Sequence, residues 1–335
     1  MFHFRKIAAA MAVFAASALA STTASAQIYS GETAGVGDPV HTMFVAFANQ
    51  ASEAGVNIQV NAGQTLTRSM LSGARGDIEF FSSVPSLVGL MSNGARMYET
   101  VDDAPEVAGN LRAILGFQAG AYHPVTLAGS GIESWEDIAG QTVFTGPPAG
   151  SASATSEALI RIITGYEPGE DYEAVRLSWG EGYSALADGQ IDMMVRPAEV
   201  GSANIERFGL SGEFRIFSIP EDMVADEDMQ ALFGRPGRGM MQFEGDLYQG
   251  QLTEGTITAL GFFQFIGTHV GVDEEVVYQA TRAFWEGLDE VHASALFLQN
   301  VTPETAFTAV NVPLHPGALR YYEEAGFDIP DELRP

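Results

Sequence analysis

The chain has 335 residues, 16 of them Lys or Arg and 43 Asp or Glu, giving a net charge of −27, and it contains no cysteine. The absence of thiols removes disulfides, zinc–thiolate and iron–sulfur sites and a cysteine nucleophile from consideration. So acidic a surface repels phosphate backbones and anionic headgroups, so no nucleic-acid or membrane-surface partner is expected, and it suits high ionic strength, where salt screens the self-repulsion.

Residues 1–26 read as a secretory signal peptide. Arg5 and Lys6 precede a small-residue apolar run from Ile7 to Ala20, and Ala24-Ser25-Ala26 sets up a cut before Gln27. The run is shorter than the roughly 20 residues that span a bilayer. The expected product is a soluble periplasmic protein. Cleavage removes the lone lysine, so all 14 remaining basic residues are arginines. A lysine-free chain forms no Schiff base, no phosphate-binding P-loop and no Ser-Lys pair.

Beyond the signal, short β-rich apolar runs alternate with helical periods, the pattern of α/β lobes with mainly parallel sheets. A first strand is expected at Gln27–Ser30. The glycine-rich turn Gly31–Gly37 then leads into a helix with Pro39 in its first turn and Val40, Phe44, Phe47, Ala48 and Ala51 along one face. Expected next are a strand at Asn57–Val60, a short helix at Thr65–Ser72, a strand at Ile78–Phe81 running into Ser82-Ser83, and a strand at Arg112–Phe117. From Tyr122 the pattern restarts, with strands expected at Val125–Ala128, Thr142–Thr145, Ala174–Leu177, Ile191–Val195 and Phe214–Ile219, and helices at Ser153–Thr164 and Gly182–Asp188. An acidic, loop-like stretch follows at Pro220–Asp228. The last third carries a long apolar strand, Thr256–Ile266, and a helix entered at Asp273 whose Val276, Val277, Ala280, Phe284 and Leu288 share a face.

Three features carry candidate chemistry. The turn Gly31–Gly37 sits between strand and helix, where backbone N–H groups can hold an anion, but Glu32 and Asp38 oppose a phosphate there and a plain turn explains it as well. The segment Thr145–Thr155 is a Gly/Pro turn entering a hydroxyl-rich helix. Free N–H groups and hydroxyls at Gly150, Ser151, Ala152 and Ser153 can hold a carboxylate, and simple N-capping by Ser151 or Ser153 is the equal alternative. Arg196 follows the apolar strand Ile191–Val195, and open α/β sheets bind ligands at the carboxyl ends of their strands.

Catalytic patterns are missing. His41, His123, His269, His292 and His315 make no His-x-x-x-His pair, there is no Gly-x-Ser-x-Gly elbow, and acid pairs such as Asp102-Asp103 and Glu323-Glu324 read as solvated charges. No metal, no cofactor and no enzymatic step is expected. The chain reads as a binding protein.

Several segments, in this order and spacing, resemble the TAXI family, the TRAP-associated extracytoplasmic immunogenic proteins that serve as solute receptors of tripartite transporters. They are Gly31–Gly37, Asn110-Leu111-Arg112-Ala113, Ser130-Gly131-Ile132 with Trp135–Gly140, Gly146–Ser151, Leu186–Asp192, and Leu314–Ala318 before Tyr321-Tyr322. The resemblance implies a type II periplasmic-binding-protein fold: two Rossmann-like lobes joined by hinge strands, closing on a small carboxylate such as an amino acid or oxoacid. It implies ligand contacts from Thr33 and Gly35, from Ser82 and Ser83, and from Gly150 to Ser153, and integral membrane TRAP transporter subunits as partners of a monomeric receptor. The same fold serves ABC importers and membrane sensor kinases. Together with the restarting pattern, it gives one lobe from 27–120 plus 221–335 and a second, 121–220, inserted between them. The sequence departs from the family at Gly37-Asp38, where an aromatic pair is usual, and at Glu32 and Glu79, where neutral residues are common. The expected ligand carries a carboxylate or similar anion held by Gly150–Ser153 and Arg196; a cationic or zwitterionic solute met by Glu32, Asp38 or Glu79 is the alternative. His315-Pro316-Gly317 is expected to be a structural turn packed down by Tyr321 and Tyr322.

Overall fold

A computed structural model describes residues 27–148 and 151–335; the expected signal peptide and Gly150 lie outside the described residues. The first half of the chain contains β1 (Ile28–Glu32), α1 (Pro39–Glu53), β2 (Asn57–Asn61), α2 (Leu66–Arg75), β3 (Phe80–Ser83), α3 (Pro85–Ser92), α4 (Ala104–Val107), β4 (Leu111–Leu127), β5 (Thr142–Phe144) and α5 (Ser151–Thr164). Then come β6 (Glu173–Val175), α6 (Trp179–Ala187), β7 (Met193–Ala198), α7 (Ala203–Ser211), β8 (Phe214–Ile216), α8 (Glu221–Val224) and α9 (Glu227–Phe233). The chain closes with β9 (Arg238–Glu244), β10 (Thr256–His269), α10 (Glu274–Glu286), α11 (Leu288–Ser294) and α12 (Pro316–Ala325). Among the described residues no helix is long and apolar enough to cross a membrane.

The strands form one mixed sheet of ten, in the order β2-β1-β3-β10-β4-β7-β5-β6, with β8 on β4 and β9 on β10. At one end β1, β2 and β3 are parallel, and at the other β5, β6 and β7 are parallel, as alternating β and α periods dictate. The centre is antiparallel. The chain leaves the first half along β4 and returns along β10, so β10 opposes β3 and β4, and β4 opposes β7. Parallel pairing therefore holds at the ends of the sheet and gives way to these two crossing strands between them.

Two elements differ from the sequence expectation. Arg112–Phe117 and all of Val125–Ala128 but its last residue are parts of a single strand, β4, of 17 residues. Gly116, Gly120 and Pro124 interrupt its apolar pattern, and the two glycines are there for space. A Cβ on Gly116 would lie 2.7 Å from the Thr308 carbonyl oxygen, and one on Gly120 would overlap the carbonyl of Ala198. The acidic stretch Pro220–Asp228 is helical instead of a loop. Its acids fall in the first turns of α8 and α9, where they face the positive helix ends, and the Asp226 side chain accepts the N–H groups of Asp228 and Met229 at 2.9 and 3.1 Å. Met229, Leu232 and Phe233 bury the other face of α9.

The expected stripe of α1 is buried, with Phe47 packed on Phe80 and Phe284 at ring separations of 6.1 and 5.9 Å. Each such phenylalanine is worth about 1.5–3 kcal/mol when removed from water. Asp38 caps α1 by accepting Val40 N–H at 3.1 Å. Asp273 caps α10 in the same way, and Gly287 ends that helix, so Leu288 opens α11 instead of continuing the expected face. A second apolar cluster joins Phe144, Leu186, Phe208 and Phe214 to Met241, Phe243, Tyr248 and Ile257, the last four coming from β9, β10 and their connection.

His315 is held inside the fold through both ring nitrogens. Its Nδ1 accepts Gly317 N–H at 3.2 Å, capping α12, which leaves Nε2 to donate to the Val272 carbonyl at 3.1 Å. Tyr322 donates to the Ile114 carbonyl at 2.8 Å and accepts from Trp285 Nε1 at 3.0 Å, pinning α12 to β4.

Candidate ligand-binding cleft

The residues following β1 and β3, the end of β7 and the middles of the crossing strands border a cleft of about 480 Å³. This is the position at which α/β sheets bind ligands, where the loops leaving parallel strands diverge. Gly35 to Pro39 and Val84 form the wall on the side of β1. Ala152, Trp179, Arg196 to Glu199 and Asn204 face them, and Tyr122, Arg238, Phe262 and Gln264 line it from β4, β9 and β10.

Arg196 lies within β7, and its guanidinium stacks between two aromatic rings of α6, 4.7 Å from the Trp179 centroid and 4.4 Å from that of Tyr183. Its Nε and Nη1 are buried without a hydrogen-bond partner among the described residues. Burial lowers its pKa, while Tyr183, Glu199 and Asp38 act in the opposite direction. A guanidinium so placed remains charged, because its intrinsic pKa lies so far above neutrality. Burial pushes the Tyr183 hydroxyl up to about 12. Arg238 opens β9 and is anchored differently, with Nη2 3.2 Å from Tyr122 Oη and 3.5 Å from Thr155 Oγ1, and Nη1 donating to the Gly237 carbonyl at 3.0 Å.

Asp38 serves twice, as the cap of α1 and as part of the cleft wall. Burial raises its pKa; the Val40 N–H opposes this, Glu199 raises it further and Arg196 lowers it. Gln264 is 6% exposed, and its Oε1 has no partner among the described residues.

Of the residues singled out from sequence, Gly35, Ala152 and Arg196 line the cleft together. Thr33, Ser82 and Ser83 are not among the residues lining it and have no exposed surface: Ser82 Oγ donates to Thr33 Oγ1 at 2.9 Å, and Ser83 Oγ sits 3.4 Å from Met70 Sδ. Ser153 is also buried and braces the preceding turn by donating to the Pro147 carbonyl at 2.7 Å. Gly150 and the Ser151 side chain lie outside the described residues. Glu32 accepts from Ser69 Oγ and Glu79 from the Ser30 N–H, both at 2.7 Å, so these two acids are engaged locally and only Asp38 of the three reaches the cleft. Arg238, Glu199, Gln264 and Trp179 escaped the sequence reading. Arg238 alone left a trace, as one of few arginines, directly after the turn Pro236-Gly237.

The chain belongs to the NMT1-like family, whose model matches residues 33–326. Among solved structures it is similar to the periplasmic sulfonate-binding protein SsuA of Methylobacillus flagellatus KT, at 12% identity and a TM-score of 0.47, covering 92% of this chain and 80% of that one. It is also similar to a TRAP periplasmic solute-binding protein of Sulfitobacter sp. NAS-14.1 with bound β-D-galacturonate, at 14% identity and a TM-score of 0.45, over 90% and 96% of the two chains. The ectoine-binding protein of the TeaABC TRAP transporter of Halomonas elongata matches at 16% identity and a TM-score of 0.44, over 89% and 90%.

Proposed function

We propose that the protein is a periplasmic solute receptor of the TAXI type, which closes on a small molecule bearing a carboxylate or similar anion and presents it to a TRAP-type membrane transporter. Its lobes in this reading are 27–120 with 221–237 and 261–335, and 121–220 with 238–260, the last segment joining the second lobe because β9 and the start of β10 pack on Phe144 and Phe214. β4 and β10 are the hinge strands.

The observation that carries the reading is that Arg196 and Arg238 line one cleft and neither belongs to an ion pair among the described residues, although acids outnumber bases 43 to 16. Buried donors without partners cost free energy, and a ligand anion would supply the missing acceptors. A ligand touching both sides of the cleft stabilises the closed form by its extra contacts there, and the membrane partner reads that population shift. The reading assigns binding without chemistry.

A thermal-shift screen of small metabolites on the mature protein tests this. A ligand present at about 100 times its Kd adds roughly 2.7 kcal/mol of stability, a shift readily seen. A screen in which no carboxylate, sulfonate or zwitterion moves the melting temperature sinks the receptor reading. A neighbouring gene for a transport ATPase, in place of a large polytopic membrane protein, overturns the TRAP assignment alone.

A further inference from the structure

Four charged residues line the cleft, Asp38 and Glu199 against Arg196 and Arg238, and no ion pair joins any of them among the described residues. Opposite charges sharing a low-dielectric cleft ordinarily collapse onto one another. Here local contacts fix three of the side chains and the backbone beside the fourth. The Arg196 guanidinium is stacked between Trp179 and Tyr183, and Asp38 is tied to Val40 N–H as the cap of α1. Arg238 is anchored by Tyr122 and the Gly237 carbonyl. Glu199 precedes a turn fixed by Tyr248, whose Oη accepts Gly201 N–H at 2.8 Å.

From this arrangement we infer that the solute is a zwitterion, its anionic group held by Arg196 and Arg238 and its cationic group by Asp38 and Glu199. The inference rests on the receptor reading above. A simple anion would pair the arginines and leave two carboxylates of like charge facing a closing cleft with no counter-charge, the costly case for buried ions. A zwitterion meets both sets and leaves the occupied cleft formally neutral. Asp38 follows β1 and Glu199 follows β7, so the cationic group would bridge the two sides. The unpartnered Oε1 of Gln264 offers a further acceptor to a ligand N–H or hydroxyl.

The test measures affinities by calorimetry for matched triplets in which only charge changes. Suitable sets are γ-aminobutyrate with valerate and pentylamine, proline with cyclopentanecarboxylate and pyrrolidine, and glycine betaine with tert-butylacetate and choline, alongside whatever ligand the metabolite screen returns. The expected result is a zwitterion bound at least about tenfold more tightly than its matched anion. Asp38→Asn, which keeps an acceptor for the α1 cap, and Glu199→Gln should each shrink that ratio, whereas Arg238→Gln should weaken zwitterion and anion alike. Anions bound as tightly as zwitterions, a ratio that survives both carboxylate substitutions, or a screened ligand with no cationic group would overturn the inference and leave the receptor reading standing. Failure of every triplet together with a silent screen removes both.

Discussion

At the scale of single residues, the Arg196 guanidinium gains from two aromatic faces, about 2 kcal/mol when desolvated. It loses a similar amount, about 1–3 kcal/mol, through its buried unpaired donors. The two effects nearly cancel in the empty protein. Arg196→Ala should therefore leave the melting temperature of the empty protein almost unchanged while weakening ligand binding by about 10- to 150-fold, the worth of a charge-assisted contact. Calorimetry and a urea melt on the same variant separate the two outcomes, and unchanged affinity would place the anion elsewhere. Arg196 could be found from sequence because its signal is local, an arginine directly after the apolar run Ile191–Val195, although the strand itself continues to Ala198. Arg238 could not, because it reaches the cleft only through the pairing of β9 with β10, a long-range fact that no spacing encodes.

Among the elements, β4 and α12 carry buried histidines whose protonation is coupled to folding. His123, with no exposed surface, has Nδ1 2.9 Å from the Ala121 carbonyl oxygen and Nε2 3.0 Å from Tyr248 Oη. Burial lowers its pKa from 6.5 to about 4, and burial lowers that of His315 to about 4 as well. Both folded values lie below the unfolded one, so on acidification the unfolded chain takes up protons first. The stability these groups contribute is complete above about pH 6.5 and is lost towards about pH 4, at about 1.4 kcal/mol per pH unit for each histidine. His315→Asn retains an acceptor for Gly317 N–H and should remove about half of that slope in denaturant melts between those limits; an unaltered slope would show that His315 is not held neutral. The parallel ends of the sheet were legible because alternating β and α periods allow little else. The continuity of β4 was not, since the glycines that let neighbouring backbone approach are the residues that break a strand pattern. The acidic helices α8 and α9 were hidden for a related reason: their charges suit helix starts and also resemble a solvated loop.

Over the whole molecule, the excess of acids sets the response to salt. Most of the described ion pairs, such as Arg75–Asp103 and Arg161–Glu167, have both partners about 40% exposed or more, and pairs of that kind contribute only about 0–1 kcal/mol each. Repulsion spread over a net charge of −27 outweighs them. The Debye length falls from about 10 Å at 0.1 M salt to about 3 Å at 1 M, so the melting temperature of the mature protein should rise across that range in sodium chloride. A fall would mean that the surface pairs dominate. The packing of β9 and the start of β10 was not legible, because Met241, Phe243 and Ile257 pack against residues that precede them by tens of positions and share no local pattern with them.

The long ladder between β4 and β10, running from Leu111 opposite His269 to Ala121 opposite Gly261, makes the two sides of the molecule inseparable. Under the lobe division proposed above, each side takes part of both strands and neither is a contiguous stretch of the chain, so a fragment limited to 121–220 should lack β9 and the start of β10, which pack on Phe144 and Phe214. Heat should for the same reason melt the protein in one calorimetric peak, with the enthalpy under the peak matching the enthalpy implied by its width.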